Sequence, residues 1–471
     1  MTGTFAGLVT GRVLVAGAGV TGRSVATALV EMGAEVTVTD GNAERLAELA
    51  DTGATLVPGL TEPPEGTSLV VTSPGWKPTS PLLASAVAAG IDVVGEIELA
   101  WWMSERLPQP PAWLVVTGTN GKTTTVGMLA EILRAGGHNA IACGNVGLTV
   151  IDAIRAGHSV LAVELSSFQL HWQRSLRAHA AVVLNLAEDH LDWHGSIEEY
   201  AKAKGRAYAG AKVVVRNIAD EWSTNLAAEH EGTPVGFGLG VPRPGELGLV
   251  EDLLVDRAFV EDPAAQAEEL AELADLNVLG SHNVANALAA AALARAYGVS
   301  PEAVRAGLRA FQPGAHRAVH LGEVNGVSYV NDSKATNPHA AGGSLLSFES
   351  VVWIAGGLLK GATVDQLVEA VAGRLRGVVL LGADADVFAA SLARHAPDVP
   401  VRRVASGDHD PMIAAVSAAG AMARPGDVVL LAPAAASMDM FRDYAHRGDT
   451  FVAAVAQFAQ VGEDDGATGV R

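Results

Sequence analysis

The sequence predicts an α/β chain of three domains built on largely parallel sheets, and three observations carry that reading. Short apolar runs alternate with helical patterns almost from end to end, as repeated strand–helix–strand units require. With 471 residues the chain is long for one hydrophobic core, and 52 glycines against 5% aromatic residues suit tight turns and small-residue packing. Two interruptions, the prolines Pro108, Pro110 and Pro111 and the pair Pro313-Gly314, divide the alternation into segments 1–110, 111–314 and 315–471.

The first segment opens on the apolar run Val13–Ala16, followed by Gly17-Ala-Gly19-Val-Thr-Gly22 and a helical pattern from Arg23 to Met32. A second run, Val36–Thr39, ends in Asp40, and a third, Leu69–Val71, ends in Thr72-Ser73-Pro74-Gly75. In the second segment, strands are expected at Trp113–Val116, Ser159–Leu165 and Ala181–Leu184. A helix is expected over Ser281–Tyr297, with Ser281 as its N-cap and Gly298 just past its end. The acidic stretch between Gly232 and Asn277 reads as short strands and loops. The third segment resumes the rhythm with Val351–Ile354 before Gly356-Gly357, Val378–Leu381 before Gly382 and Val428–Leu431 before Pro433. Residues Glu463 to Arg471 read as a disordered tail.

Composition excludes several classes. A formal charge of −20 argues against a nucleic-acid binder, which needs a clustered basic surface. It leaves room for a phosphate-bearing small ligand, which a few backbone amides and one lysine can hold. The single cysteine, Cys143, permits no internal disulfide and fits a reducing compartment. Met1 to Leu8 carry no basic stretch followed by an apolar core, and no apolar run is long enough to span a bilayer. The expectation is a cytoplasmic monomer that contacts neither membrane nor nucleic acid.

The strongest local signal is Thr117-Gly-Thr-Asn-Gly-Lys-Thr-Thr124, set directly after a strand and before a helical stretch. Glycines in such a loop let backbone N–H groups turn inward, and the helix N-terminus adds partial positive charge. Gly118, Thr119, Asn120, Gly121 and Thr124 would form the cradle. Lys122 would reach the β- and γ-phosphates, and the Thr123 hydroxyl could ligate Mg²⁺. Val116 stands where the strict pattern has glycine, so a plain strand-to-helix turn is the alternative; the placement favours a triphosphate site.

Glu164 ends the strand that begins near Ser159, and a carboxylate there, beside a phosphate loop, is placed to hold Mg²⁺. Ser196-Ile-Glu-Glu199 reads as a capping box opening a helix on which Tyr200 and Lys204 share a face while Lys202 points away. Asn283 and Asn286, three apart in a first helical turn, could read an adenine or ribose edge; an ordinary cap is the alternative. Arg317, after His316, could clamp ATP phosphates when domains close.

These motifs, in this order, resemble the Mur ligase and folylpolyglutamate synthetase superfamily, whose hallmark is Gly-Thr-Asn-Gly-Lys-Thr, over essentially the whole chain. The resemblance implies a Rossmann-like UDP-binding domain, a central P-loop ATPase-like domain and a Rossmann-like C-terminal domain that holds an amino acid. It implies an ATP-dependent ligase that forms an amide through an acyl phosphate, in cytoplasmic peptidoglycan precursor synthesis. Lys122, Glu164, His190 and Lys204 would be catalytic. Lys204, in a Tyr-x-x-Ala-Lys setting, would be carbamylated by CO₂ and would serve two Mg²⁺ ions with Thr123, Glu164 and His190. Read without the resemblance, Lys204 is a surface lysine and His190 a loop histidine.

Asp332, with Asn283, Asn286 and Arg317, falls on the nucleotide side. The stretch Asn331-Asp332-Ser-Lys-Ala-Thr-Asn337-Pro resembles the members that add D-glutamate, since siblings carry Tyr-Ala-His or Tyr-Asn-Ala variants there. An Asp-Asn-Pro-Arg stretch, expected of enzymes adding diaminopimelate, is missing from the sequence. On that resemblance Thr336, Lys360, Ser437 and Tyr444 would contact D-glutamate, and Asn145 would touch the muramoyl part of UDP-N-acetylmuramoyl-L-alanine. Tyr444 stands where phenylalanine is expected, and Ala435 and Met440 stand where cysteine and glutamine are. A sibling ligase that adds a different amino acid is the nearest alternative.

The N-terminal Gly17-x-Gly19-x-x-Gly22, with Asp40 ending the next strand, would also pass as a dinucleotide fingerprint, making an NAD-dependent oxidoreductase the competing class. The resemblance instead assigns uridine contacts to Val20, Thr21 and Asp40 and a diphosphate-side contact to Ser73.

Overall fold

The computed structural model describes residues 11–404 and 410–467. The expectation for Met1 to Leu8 lies outside the described residues. The chain has a three-domain α/β fold with three separate sheets.

The first sheet comprises β1 (Arg12–Ala16), β2 (Glu35–Thr39), β3 (Thr55–Leu56), β4 (Thr67–Thr72) and β5 (Asp92–Gly95), in the order β3-β2-β1-β4-β5. Every pair is parallel. The chain adds strands on one side of β1 and then crosses to the other. The loops after β1 and β4 therefore flank the crevice at the carboxyl ends, where open α/β sheets bind ligands.

The second sheet holds β6 (Ala112–Thr117), β7 (Ala140–Gly144), β8 (Val160–Glu164), β9 (Ala180–Val183), β10 (Val213–Asn217) and β11 (Thr233–Phe237). It continues with β12 (Glu246–Val250), β13 (Leu253–Asp256) and β14 (Glu268–Glu272). The order is β14-β13-β12-β11-β10-β9-β6-β8-β7, so β6 lies between β8 and β9. All five residues of β8 are buried, as expected of a strand covered on both faces. The irregular acidic stretch becomes β11 to β14, whose last pairings are antiparallel.

The third sheet runs β15-β16-β20-β17-β18-β19, formed by β15 (Val319–Val324), β16 (Val327–Asn331), β17 (Val351–Gly356), β18 (Leu375–Leu381), β19 (Val401–Arg403) and β20 (Val428–Leu431). β15 pairs antiparallel with β16, and the rest are parallel.

The chain divides into two compact units. One holds residues up to Leu186, His190–Leu276 and Ala285–Phe311, and so both of the first two sheets. The other holds Ala187–Asp189, Asn277–Val284 and the chain from Gln312 onward.

Several boundaries differ from the sequence expectation. The first helix spans Val20–Glu31 rather than starting at Arg23, because Gly19 provides the extended N-cap. Ser281 is the first residue of its helix, Ser281–Ala296, rather than its cap, and Gly298 sits past the end with φ 89°. The tail expected from Glu463 is helical to Ala467, as the last part of Tyr444–Ala467. Earlier turns of that helix bury Phe451, Ala454 and Val455, and a helix anchored in this way propagates beyond its anchor. Residues 468–471 lie outside the described residues.

Within the first unit, buried carboxylates tie the N-terminal sheet to the central one. Both sit on the helix Glu96–Ser104, which follows β5 directly. Glu98 accepts from the backbone amides of Arg174 (2.7 Å) and Ser175 (3.0 Å). Glu96 accepts from the Ile151 amide at 3.0 Å, in the first turn of the helix Val150–Arg155. Burial pushes the Glu96 carboxyl up to about 7 and nearby Asp152 adds to this, while the Ile151 and Val150 amides oppose it. A folded-state value raised from 4.5 means that the contribution to stability is full at low pH and is lost as pH rises through about 7. Glu96→Gln stays neutral throughout. Relative to wild type it should gain up to about 3 kcal/mol between pH 4.5 and 8. Urea unfolding of both proteins across that range measures the difference, and parallel profiles would refute it.

Candidate functional site

β6 ends at Thr117, whose hydroxyl donates to the Leu165 carbonyl at 2.7 Å and so locks the phosphate loop to the end of β8. Gly118 (φ 150°) and Gly121 (φ 86°) take the backbone conformations that the loop needs, and Gly121 caps the helix Lys122–Ala135. A Cβ at Gly121 would fall 2.3 Å from Asn286 Oδ1, so the loop and that buried amide require glycine there.

The loop is held from the far side by Asn185, just after β9. Its carbonyl accepts from Thr119 N and its Oδ1 from Asn120 N, both at 2.9 Å, and its Nδ2 donates to Asn120 O at 3.0 Å. Sequence reading missed Asn185, because an asparagine after a strand carries no spacing signal of its own. Lys122 Nζ donates to the carbonyls of Gly118 and Thr119, both at 2.9 Å. Thr123 is half-buried and Thr124 buried in the first helical turn.

Glu164 is the last residue of β8 and pairs in register with Val116 of β6. It is 1% exposed. Its Oε1 accepts from Asn145 Nδ2 at 2.9 Å, whereas the buried Oε2 has no hydrogen-bond partner among the described residues. Asn145 is fixed in turn by its amide, which donates to the Glu164 carbonyl at 2.8 Å.

On the helix Ile197–Gly205, Tyr200 and Lys204 are each 1% exposed, while Lys202 faces solvent beside Glu199. Ser196 Oγ accepts from Glu199 N at 3.3 Å, which is one half of the expected capping box; the Glu199 carboxylate lies 3.7 Å from Lys202 instead. Lys204 Nζ donates to Gly118 O at 2.8 Å and lies 4.6 Å from the Tyr200 ring centroid. The Tyr200 hydroxyl meets Thr119 Oγ1 at 3.2 Å. His190, at φ 54°, stacks edge-on to Phe168 at 4.8 Å and lies 6.4 Å from the Tyr200 ring.

Two lysine ammonium groups thus converge on one carbonyl oxygen in a largely buried place. Like charges cost most in such surroundings, and phosphate oxygens or an anionic side group would relieve them. Among the described residues no group of three or more His, Cys, Asp and Glu side chains is arranged to hold a metal. Mg²⁺, however, keeps several waters and phosphate oxygens and needs only one or two carboxylates. The unpartnered Glu164 oxygen, beside a phosphate loop that carries Thr123, fits that need.

In the N-terminal crevice Gly17 has φ 111°, and a Cβ there would fall 2.4 Å from Ser73 Oγ. A Cβ at Gly22 would fall 1.8 Å from Gly17 O. The spacing of these glycines is therefore already demanded by the crossing of helix and strand, whatever ligand the crevice takes. Asp40 accepts from the amides of Ala18 and Asn42, each at 2.8 Å, so it ties the loop after β1 to the loop after β2. Ser73 Oγ is buried and has no hydrogen-bond partner among the described residues. Val20 is 75% exposed and Thr21 half-buried at the start of the helix that follows.

The second unit gathers its own cluster at the carboxyl ends of β16, β17 and β20. Asp332 accepts from Ser344 Oγ and from Ala318 N (3.3 Å), and burial pushes its carboxyl up to about 6 against the opposing pull of Ser344, Ala318 and Arg317. Asn283 donates to Leu279 O at 2.7 Å. Thr336 follows on the same loop as Asp332; Lys360, exposed at φ 53°, lies on the loop after β17, and buried Ser437 on the loop after β20. Lys334 Nζ lies 3.8 Å from the Tyr444 ring centroid, so the tyrosine that replaces the expected phenylalanine still offers an aromatic face.

Arg447, foreseen by no motif, is 1% exposed and binds these loops together. It donates to Ser333 Oγ (3.0 Å), Ser333 O (2.9 Å) and Ala435 O (3.0 Å).

Residues 116–294 match the family model for the Mur ligase middle domain, and residues 316–435 that for the Mur ligase glutamate ligase domain. Residues 1–74 match the C-terminal domain of alanine dehydrogenase/PNT. The chain is 56% identical over 462 residues to the UDP-N-acetylmuramoylalanine–D-glutamate ligase of Thermobifida fusca, covering 95% of this chain and 98% of that one. It is 48% identical to the protein of the same name from Mycolicibacterium smegmatis, covering 97% and 98%. Among solved structures, MurF from Acinetobacter baumannii superposes with a TM-score of 0.60 at 19% identity, over 89% and 90% of the two chains. The UDP-N-acetylmuramate–alanine ligase of Thermotoga maritima gives 0.57 at 20%, over 95% and 99%. These structural likenesses speak for the fold alone.

Proposed function

The chain belongs to the Mur ligase family, and on that premise we propose that it joins D-glutamate to the L-alanine carboxylate of UDP-N-acetylmuramoyl-L-alanine, using ATP. This is the activity named for relatives at 48–56% identity across nearly the whole chain. The observation that carries it is the convergence of Lys122 and Lys204 on Gly118 O, with the unpartnered Glu164 oxygen at the next strand end.

In this reading residues 111–314 bind ATP. The loop amides and Lys122 hold its phosphates, and the amides of Asn283 and Asn286, with Arg317 and Asp332, serve the nucleotide. Residues 1–110 bind the UDP end of the substrate through Val20, Thr21, Asp40 and Ser73, while Asn145 steadies the muramoyl part. Residues 315–471 hold D-glutamate through Thr336, Lys360, Ser437 and Tyr444.

The alanine carboxylate attacks the γ-phosphorus, the bond to the β–γ bridging oxygen breaks, and ADP leaves behind an acyl phosphate. The free amine of D-glutamate then attacks the acyl carbon, and phosphate departs from the tetrahedral adduct as the nitrogen gives up one proton and keeps the other as the amide N–H. Lys122 offsets charge on the transferring group. Bound Mg²⁺ would add charge neutralisation, with Thr123, Glu164, His190 and a carbamate formed from Lys204 and CO₂ as its holders. Carbamylation would exchange one of the two neighbouring lysine cations for an anion whose oxygens can hold a metal ion. Exclusion of water protects the acyl phosphate from hydrolysis.

We place this activity in the cytoplasm and in a monomer; no described helix is long and apolar enough to cross a membrane. The test is ADP release by the purified protein. It should require both UDP-N-acetylmuramoyl-L-alanine and D-glutamate, with L-alanine and L-lysine failing to substitute. Equal release with another amino acid would transfer the chain to a sibling activity, and hydride exchange with NADH would transfer it to another class.

A further inference from the structure

A cavity of about 410 Å³ lies within the first unit, between the start of β5 and the end of the helix Ser167–His171. Val93, His171, Trp172, Arg174 and Arg206 line it, and none of the residues assigned above to ATP, UDP or the muramoyl group does. In a chain of charge −20, a wall bearing two guanidinium groups and an imidazole stands out.

Their partners do not neutralise it. Arg206 donates Nη1 to the carbonyls of Leu170 (3.4 Å) and His171, and among the described residues no carboxylate forms an ion pair with it. Arg174 donates to Val93 O at 3.0 Å and reaches Asp92 at 3.3 Å, an exposed pair of little strength. Glu199 acts on both His171 and Arg206 from a distance, but its carboxylate lies near Lys202. Burial and the Arg174 charge hold the Arg206 guanidinium below its ordinary value, and burial and Arg206 do the same to His171. The two guanidinium groups repel one another across one space, and among the described residues the buried Trp172 Nε1 donor has no acceptor.

We propose that this cavity binds a small organic oxyanion, a phosphate ester or a carboxylate, between Arg174 and Arg206. Two guanidinium forks suit such an anion geometrically. The volume exceeds what inorganic phosphate needs and falls in the range of small-metabolite pockets, leaving room for a compact body against Val93 and Trp172. An occupant would bridge the N-terminal sheet, through Val93, to the central one, through the His171–Arg174 turn.

The test is calorimetric titration of the full chain with glucose 6-phosphate, citrate, inorganic phosphate and uncharged glucose. UDP and a non-hydrolysable ATP analogue are present, so that both nucleotide sites are filled. One of the two organic anions should bind and glucose should not, and whichever binds more tightly identifies the oxyanion. Arg174→Gln and Arg206→Gln should each weaken that binding by about tenfold. Absence of binding by both organic anions, or binding unchanged in Arg174→Gln, overturns the proposal. If Arg206→Gln fails to fold because Arg206 also caps a helix, Arg174→Gln decides alone, since its side chain is 61% exposed.

Discussion

Lys122→Ala is expected to lower ADP formation by roughly 10³-fold or more with both substrates present, while the protein stays folded. The lysine is half-buried, and its ammonium spans the carbonyls of Gly118 and Thr119 at the mouth of the loop. In the proposed reading it is the phosphate loop's own cation, placed to offset charge as the γ-phosphoryl group transfers. Its removal takes two hydrogen bonds from the loop carbonyls, but Asn185 still holds the loop's backbone frame through three others. The loss should therefore fall on kcat, with the circular dichroism spectrum and melting temperature close to wild type. Lys122→Arg should also be poor, because a planar fork cannot occupy the space of a point charge beside Lys204. Single-turnover measurement of the acyl phosphate step locates the effect, and turnover within tenfold of wild type would remove the phosphate-loop assignment.

Much of the fold was legible because two periodicities are strong in this sequence. Continuous apolar runs such as Trp113–Val116 and Val428–Leu431 became largely buried strands, with Gly118 after the first and Pro433 after the second marking the turns. The weaker elements were hidden for physical reasons. β3 is two residues long, β15 is only half-buried, and β12 to β14 owe their pairing to one another rather than to a local pattern. Edge strands carry too little burial to imprint a sequence signature.

The site divides along a similar line. Backbone-built features announce their placement: the glycine-rich loop between β6 and the helix Lys122–Ala135 reads from its glycines, and Glu164 at the end of β8 from its apolar run. Features built by side chains meeting across the fold do not. Asn185, Arg447 and the shared Gly118 oxygen have no motif, because each joins segments far apart in the chain. Asp40 carries a second role that its pattern does not announce. Its carboxylate accepts from the Ala18 amide of the loop after β1 and from the Asn42 amide of its own loop.

Lys204 offers the sharper experiment, because two roles for it predict opposite outcomes. As a carbamate it needs a primary amine that can add CO₂; as a simple cation it needs only positive charge. Lys204→Arg keeps the charge and should nevertheless be inactive, by roughly 10²- to 10³-fold, if the carbamate reading holds. Lys204→Ala should lose as much, but it also vacates a space, since the stem is 1% exposed against Tyr200. A short carboxylic acid such as formate, acetate or propionate can enter that space and present its oxygens where the carbamate would. Partial recovery of ADP formation is therefore expected for the alanine variant and not for the arginine variant, whose side chain fills the site. Stability should fall in Lys204→Ala through the lost packing of its buried stem against Tyr200. Full activity in Lys204→Arg would leave charge as the sole requirement and end the carbamate proposal. Added carboxylate acting equally on both variants would show that it works elsewhere.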